Sequence, residues 1–456
     1  MRDVPRRFRS RQNSKDGSGT RRIAGLERVA QTEVRQDGRD YNRCDTKRQG
    51  LTLFFSCRAG SRTDRSKNAT CRGDTLRTRP IPRPEKNCML PKRTLMGPGP
   101  SDVSREVLEA MSQPTIGHLD PAFVGFMDEL NELLRLAFQT KNPITLPISA
   151  PGSAGMECCF VNLLEPGDEV VIAVNGVFGG RMVEVARRCG AIPIAVEFDW
   201  GTPVDPDKME DALKAHPDAV AMAFVHSETS TGARSDADVL CALAKKYDRL
   251  SIVDAVTSLG GIELRVDDWG IDAIYSGSQK CLSAPPGLSP VSFGEQAMAK
   301  LQQRSTPPQS WFLDMDLLTG YWGGGAKRAY HHTAPINSLY ALHAALEILK
   351  REGVENAWKR HADNHLLLRA ELESIGLEFI VAEEYRLPQL NSVTIPDEVD
   401  DAEVRSHLLH EFNLEIGAGL GPLAGKIWRI GLMGASSTPD HVALCVKALK
   451  SAGVSR

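Results

Sequence analysis

The sequence lacks several patterns that would assign a function class at a glance. No window approaches the ~18 uninterrupted apolar residues a membrane-spanning helix needs, so no span and no membrane partner are expected. Its ten cysteines include no CxxC pair and no zinc-ligand spacing, which argues against a zinc module or a thioredoxin-type redox motif. Scattered cysteines in a large, ordinary chain suggest reduced thiols and an intracellular setting. There is no GxxxxGK[ST] run, so a nucleotide P-loop is not expected. Internal repeats and long Gly/Ser linkers are absent too, and the final residues VSR are not an SKL-type peroxisomal signal.

What is present is a chain of 456 residues, 41% hydrophobic and 25% charged, the balance of a globular protein with more than one domain. A net charge of −3 hides an asymmetry. Residues 1–90 hold 23 Lys+Arg against 10 Asp+Glu, a net +13, which leaves about −16 for the remainder. That basic segment has no sustained period of 2 or 3.6, and only LTLFF (51–55) resembles a short strand. Its composition is that of a disordered arm. Three readings stay open for it: a transit peptide, against which its ten acidic residues count; an arm for nucleic acid or an anionic surface; or sequence upstream of the functional protein, with the start at Met89 or Met96. The last is preferred, and 1–90 is set outside the fold.

From residue 96 the pattern changes. GPGPSDVS reads as a flexible lead-in, and residues 123–140 place Phe123, Met127, Leu130, Leu134 and Ala137 on one helical face. Apolar runs at 144–148, 169–174, 191–196, 219–225, 250–256 and 271–277 then alternate with helical stretches. Strands apolar on both faces and separated by helices imply an α/β fold with a mostly parallel sheet. Two long helices (338–353 and 354–376) and strand-like runs at 390–395 and 426–432 suggest a smaller C-terminal α+β domain. The expected division is 91–353 and 354–456.

Ligands of open parallel sheets sit beyond the carboxyl ends of the strands. Three of those ends carry suggestive residues. SAPGSAGME (149–157) offers backbone N–H groups at a helix start, a cradle for an anion. Asp254 ends the 250–256 run, where a buried carboxylate needs a positive or N–H partner. Lys280 follows the 271–277 run inside a loop of small residues, IYSGSQKCLSAPPG. An anion cradle, a carboxylate and an amine at neighbouring strand ends suit pyridoxal 5′-phosphate, whose phosphate, ring nitrogen and aldehyde need those three partners.

HSETSTG (226–232), VDAVTSLGG (253–261), YSGSQKCLSAPPG (275–287), YHHT (330–333) and WRIGLMG (428–434) resemble the fold-type I, class V aminotransferases. The likeness is greatest to the alanine–glyoxylate and serine–glyoxylate/pyruvate aminotransferases, and it runs from about residue 96 to the C-terminus. It implies a seven-stranded, mostly parallel sheet flanked by helices and a smaller C-terminal domain. It also implies Lys280 as the Schiff-base lysine and proton shuttle, Asp254 as partner of the ring nitrogen, Val256 against one ring face and Phe178 stacked on the ring. Thr229 would sit near the ring hydroxyl, and Gly152, Ser153 and Gln279 would hold the phosphate. Tyr330 and Thr333 would reach the neighbouring subunit's phosphate in a homodimer with shared sites, and Arg429 would clamp the substrate carboxylate.

The implied activity is a ping-pong transamination from alanine or serine to glyoxylate, giving glycine, with pyridoxal phosphate as cofactor. Small amino acid and 2-oxo acid substrates are the expected partners, with no nucleic acid and no metal. Adjacent His331 and His332 would face opposite ways in an extended chain, unsuited to one metal ion. Cys281 is expected to be a packed thiol. Related alternatives are ureidoglycine–glyoxylate or aminoethylphosphonate–pyruvate exchange, or a lyase or desulfurase on the same scaffold. A nucleic-acid-binding protein led by the basic arm is the non-enzyme alternative. A cytoplasmic enzyme is the expectation, mitochondrial if 1–90 acts as a transit peptide.

Overall fold

The computed structural model describes residues 90–323 and 328–454. The basic arm and its possible strand at 51–55 therefore lie outside the described residues.

Seven strands form the principal sheet: β1 Ile144–Ile148, β2 Glu169–Val174, β3 Ile192–Glu197, β4 Ala221–Val225, β5 Leu250–Asp254, β6 Ala273–Tyr275 and β7 Ser289–Phe293. Their order is β1-β7-β6-β5-β4-β2-β3. β7 runs antiparallel to both β1 and β6, and every other neighbouring pair is parallel. Every residue of β4 is buried, as helices on both faces require of a central strand. β3 departs from the sequence expectation: at the sheet edge none of its residues is buried, three being exposed and three half-buried.

The helices follow their sequence signals. Pro121–Phe138 starts with Asp120 accepting the Ala122 N–H at 2.8 Å and Pro121 in the first turn. It buries Phe123, Met127, Leu130, Leu134 and Ala137, the face read from the period. Ile336–Glu352 and Val354–Ser374 are the two long helices. Beyond them β8 Leu390–Thr394, β9 Gly417–Ala418 and β10 Ile427–Gly431 make a small antiparallel sheet in the order β8-β10-β9. The closing helix Pro439–Ser451, which no sequence signal had singled out, packs beside Val354–Ser374.

The lead-in GPGP is not loose. Thr94–Leu95 pairs in parallel with Leu414–Glu415, and the Gly431 N–H donates to the Met96 carbonyl at 2.7 Å. Ser101 then donates to the Gln279 carbonyl through its N–H at 2.9 Å and to the Lys280 carbonyl through its hydroxyl at 2.7 Å. Residues 96–101 thus form a strap from the end of β10 to the loop after β6.

Candidate active site

The ends of β5 and β6 meet in register, with Asp254 opposite Tyr275. Asp254, only 3% exposed, accepts the Tyr275 hydroxyl on Oδ2 at 2.7 Å and the Val256 N–H on Oδ1 at 2.8 Å. Burial pushes its carboxyl up to about 6; those two donors, then Lys280 and Arg181, pull the other way. A displacement of that size corresponds to about 3 kcal/mol of preference for the neutral form, which a cationic partner would offset.

Lys280 is 9% exposed and its Nζ donates to the Pro98 carbonyl of the strap. Burial brings its amine down to about 8 despite the opposing charge of Asp254. A buried amine that is neutral in a fair share of molecules near pH 8 is a nucleophile in waiting. Gly99 has φ +109, and a Cβ there would lie 2.6 Å from both Cδ and Nζ of Lys280, so the strap can pass only as glycine. Cys281 donates to the Thr257 carbonyl at 3.3 Å and its thiol is pushed up to about 12 by burial, a packed thiol as expected.

The Gly152 turn starts the helix Gly152–Leu163, whose N-cap, Pro151, supplies no side-chain acceptor. A Cβ on Gly152 would approach Val256 Cγ2 to 3.2 Å and the Ser276 carbonyl oxygen to 3.3 Å, which puts this turn against the loops after β5 and β6. Gln279 lies beside Gly277, and its Oε1 is buried without a hydrogen-bond partner. Ser153 is exposed at the mouth and accepts from Arg181 Nη1 at 3.3 Å.

Phe178 opens the helix Val177–Arg188 after β2, with its N–H donated to Glu228 Oε2 at 3.2 Å. Glu228 is fully buried and also accepts the Ser230 N–H and hydroxyl at 3.0 and 2.6 Å. Gly176 makes room for this carboxylate, since a Cβ there would come within 2.5 Å of Glu228 Cδ. Thr229 is buried in the same loop, and its carbonyl accepts Arg429 Nη1 at 2.8 Å. Arg429 on β10 is 6% exposed, not the solvated strand residue its alternation with Ile427 would allow. Its Nε donates to the Ala418 carbonyl at 2.8 Å, and it pairs with no carboxylate among the described residues. A guanidinium held by two carbonyls keeps donors free for a planar anion.

Gly152, Val256, Gln279, Lys280 and Asp254 are therefore assembled around the ends of β5 and β6, with Phe178, Thr229 and Arg429 joined through Glu228 and its loop. Tyr330 and Thr333 stand apart. Tyr330 is 62% exposed, Thr333 is exposed, and neither hydrogen-bonds to these cleft residues among the described ones. His331 and His332 do not diverge as expected: their Nδ1 atoms lie 2.7 Å apart, and His332 Nε2 meets Ser149 Oγ at 2.7 Å. The backbone there forms no strand, so the alternation of an extended chain does not apply.

Sequence reasoning passed over four participants. Tyr275 looked like strand core, and the strap looked like a flexible lead-in. Glu228 gave a signal, a carboxylate among small residues after a buried strand. Arg181 gave one too, lying one helical turn beyond Phe178.

The family model described as aminotransferase class-V matches residues 99–427. The chain is 40% identical over 377 residues to a rat protein named alanine–glyoxylate aminotransferase, covering 82% of this chain and 91% of that one. It is 38% identical over 380 residues to the (S)-ureidoglycine–glyoxylate transaminase of Bacillus subtilis, covering 79% of this chain and 90% of that one. Among solved structures, an alanine–glyoxylate aminotransferase from Nostoc aligns with a TM-score of 0.79 and 46% identity, covering 80% of this chain and 97% of the other.

Proposed function

The chain belongs to the class-V aminotransferase family, and from that premise we propose that it moves the amino group of alanine or serine to glyoxylate, giving glycine, in a ping-pong cycle. Members of this family use pyridoxal 5′-phosphate. The observation that carries the reading is the pairing of a buried, depressed amine, Lys280, with a buried carboxyl, Asp254, whose charge has no cationic partner in direct contact among the described residues.

The residues present fit the cofactor. Gly152 lets the helix start pack closely against the loops after β5 and β6, the Gln279 side-chain amide carries N–H donors beside Gly277, and the uncapped helix start favours a phosphate. Gly152, Ser153 and Gln279 would hold that phosphate, Phe178 and Val256 would cover the ring faces, and Thr229 would lie near the ring hydroxyl. When bound, the cofactor supplies the electron sink for the substrate's Cα carbanion and keeps the amino group between the two halves of the exchange.

The chain's own groups do the rest. Lys280 would hold the cofactor, and its Nζ would take and return the proton at the substrate Cα. Asp254, its carboxylate oriented by the Tyr275 hydroxyl and the Val256 N–H, would be kept ionised by the positive charge of the cofactor's ring nitrogen. Arg429 orients the substrate carboxylate in the plane of its guanidinium. The acceptor is common to the names of the rat, Nostoc and Bacillus relatives, whereas the donor is not. Arg429 as the carboxylate clamp suits a monocarboxylate donor, and the ureidoglycine reading differs from the alanine reading in that half-reaction alone.

We further propose 91–353 and 354–456 as the cofactor-holding and substrate-clamping parts, supported by two apolar cores that follow this division except for Val354 and Ala357 in the first and Met96 of the strap in the second. A homodimer with Tyr330 and Thr333 reaching the partner's phosphate accords with their exposure, and a fully active monomer in sedimentation would remove that part. A cytoplasmic location accords with the six cysteines among the described residues, all buried and unpaired. Among the described residues no helix is long and apolar enough to cross a membrane.

Single half-reactions test the activity. Alanine or serine should bleach the cofactor band near ~400–430 nm expected of lysine-bound pyridoxal phosphate, and glyoxylate should restore it. Bleaching by aspartate alone would remove the monocarboxylate reading, and bleaching by ureidoglycine but not alanine or serine would move the chain to the Bacillus-type exchange.

A further inference from the structure

Arg181 has been given no contact with the cofactor so far, yet three features converge on it. Its Nη1 donates to the hydroxyl of Ser153, the second residue of the helix Gly152–Leu163. Its guanidinium carbon lies 4.9 Å from the centroid of the Phe178 ring, one helical turn back along its own helix. It forms no ion pair among the described residues, whereas Arg188 of the same helix is paired with Glu184 at 2.8 Å.

The placement is electrostatically odd without an anion. A helix N-terminus carries a partial positive charge and unpaired N–H donors. Here no side chain caps it, and a full positive charge is held against its second residue. Two like charges are brought together while the loop Ser149–Ser153 itself contains neither a cationic nor an acidic side chain. A dianion between them reverses the sign of both interactions. The charge of Arg181 also reaches Asp254, lowering its carboxyl, so the guanidinium lies within electrostatic range of the ring-nitrogen end of the cleft.

We propose that Arg181 is a phosphate-binding residue for pyridoxal phosphate in this chain, supplying through Ser153 the cation that the Gly152 turn lacks. This rests on the cofactor reading above. It also gives the second cation of the cleft an occupant other than substrate, leaving Arg429 as the one clamp for the donor's carboxylate.

The test compares pyridoxal phosphate with pyridoxal, which lacks the phosphate, on the full-length apo-protein. Dissociation constants come from absorbance and Phe178-region-independent tryptophan quenching for wild type, Arg181→Met and Arg181→Lys. Loss of one charge-assisted contact should weaken pyridoxal phosphate roughly tenfold or more in Arg181→Met. Pyridoxal should change by less than about twofold on the same ground, and Arg181→Lys should recover part of the loss. Added inorganic phosphate should compete with pyridoxal phosphate less effectively in Arg181→Met. Equal weakening of both ligands would assign Arg181 to the Phe178 ring instead, and no change in either would remove it from the site. Both results overturn the proposal. Failure of the wild type to bind pyridoxal phosphate at Lys280 would sink the cofactor reading itself, a separate outcome.

Discussion

Tyr275 and Asp254 stand opposite one another in adjacent parallel strands, and the tyrosine hydroxyl donates to the carboxylate at 2.7 Å. A strand residue that looks like core is therefore a partner of the buried acid. Burial and hydrogen bonding compete at Asp254, and burial wins, leaving the carboxyl near 6.

Pairing with a pyridinium needs the ionised form, so cofactor affinity should fall as pH drops through about 6. Tyr275→Phe removes one donor to the carboxylate and should move that fall to higher pH. At pH 7 the variant should bind pyridoxal phosphate roughly 3–10-fold more weakly. Titrating affinity between pH 5 and 8 checks this; superimposable profiles would show that the hydroxyl does not tune Asp254.

Lys280 carries the opposite linkage. Its amine is at about 8 in the folded chain and near 10.5 when unfolded, so the cost of burying its charge is full below 8. That cost, about 3 kcal/mol, disappears as pH rises from 8 to 10.5. Apo Lys280→Met should therefore be more stable than apo wild type at pH 7, with the gap narrowing toward pH 10. Urea unfolding of both apo-proteins at the two pH values measures it, and a gap independent of pH would contradict the assigned burial cost.

The strap offers a third test. Gly99→Ala places a Cβ 2.6 Å from the Lys280 side chain at a φ of +109. Folding should cost on the order of 1–3 kcal/mol, and covalent capture of the cofactor should slow by at least about tenfold, since a 1.4 kcal/mol barrier suffices. Stopped-flow absorbance reads the capture and a melting curve reads the stability. An unchanged capture rate would mean that the strap does not confine the amine.

Arg429→Lys keeps the charge and loses the planar fork. The KM for the amino donor should rise roughly tenfold or more, while the affinity for pyridoxal phosphate stays within about twofold. A larger effect on cofactor than on donor would place Arg429 at the wrong end of the cleft.

Much of this was legible in the sequence because charged residues at the ends of apolar runs are conspicuous. Asp254, Lys280 and Arg429 each interrupt a buried strand or its exit, and a buried charge with no ion pair among the described residues is the physical signature of waiting for a counter-charge. Six of the seven large-sheet strands follow from apolar runs alone. The seventh, Ser289–Phe293, does not, because two serines and Pro290 break its run. Inside the fold those serines are satisfied locally: Ser289 donates to the Ser276 carbonyl at 2.6 Å, and Ser292 pairs with Thr145 at 3.0 Å. The strap was illegible for a different reason. Its contacts join residues about 180 positions apart, and no local period encodes them. Its spacing from Phe178 puts Arg181 on the face of that ring, but only the fold brings Ser153 and the Gly152 turn beside it.

Borohydride reduction of the holoenzyme, followed by peptide mapping, tests the centre of the assignment most directly. The pyridoxyl mass should fall on the peptide containing Lys280, and Lys280→Ala should carry none. A label on another lysine, or an undiminished label in Lys280→Ala, would contradict it.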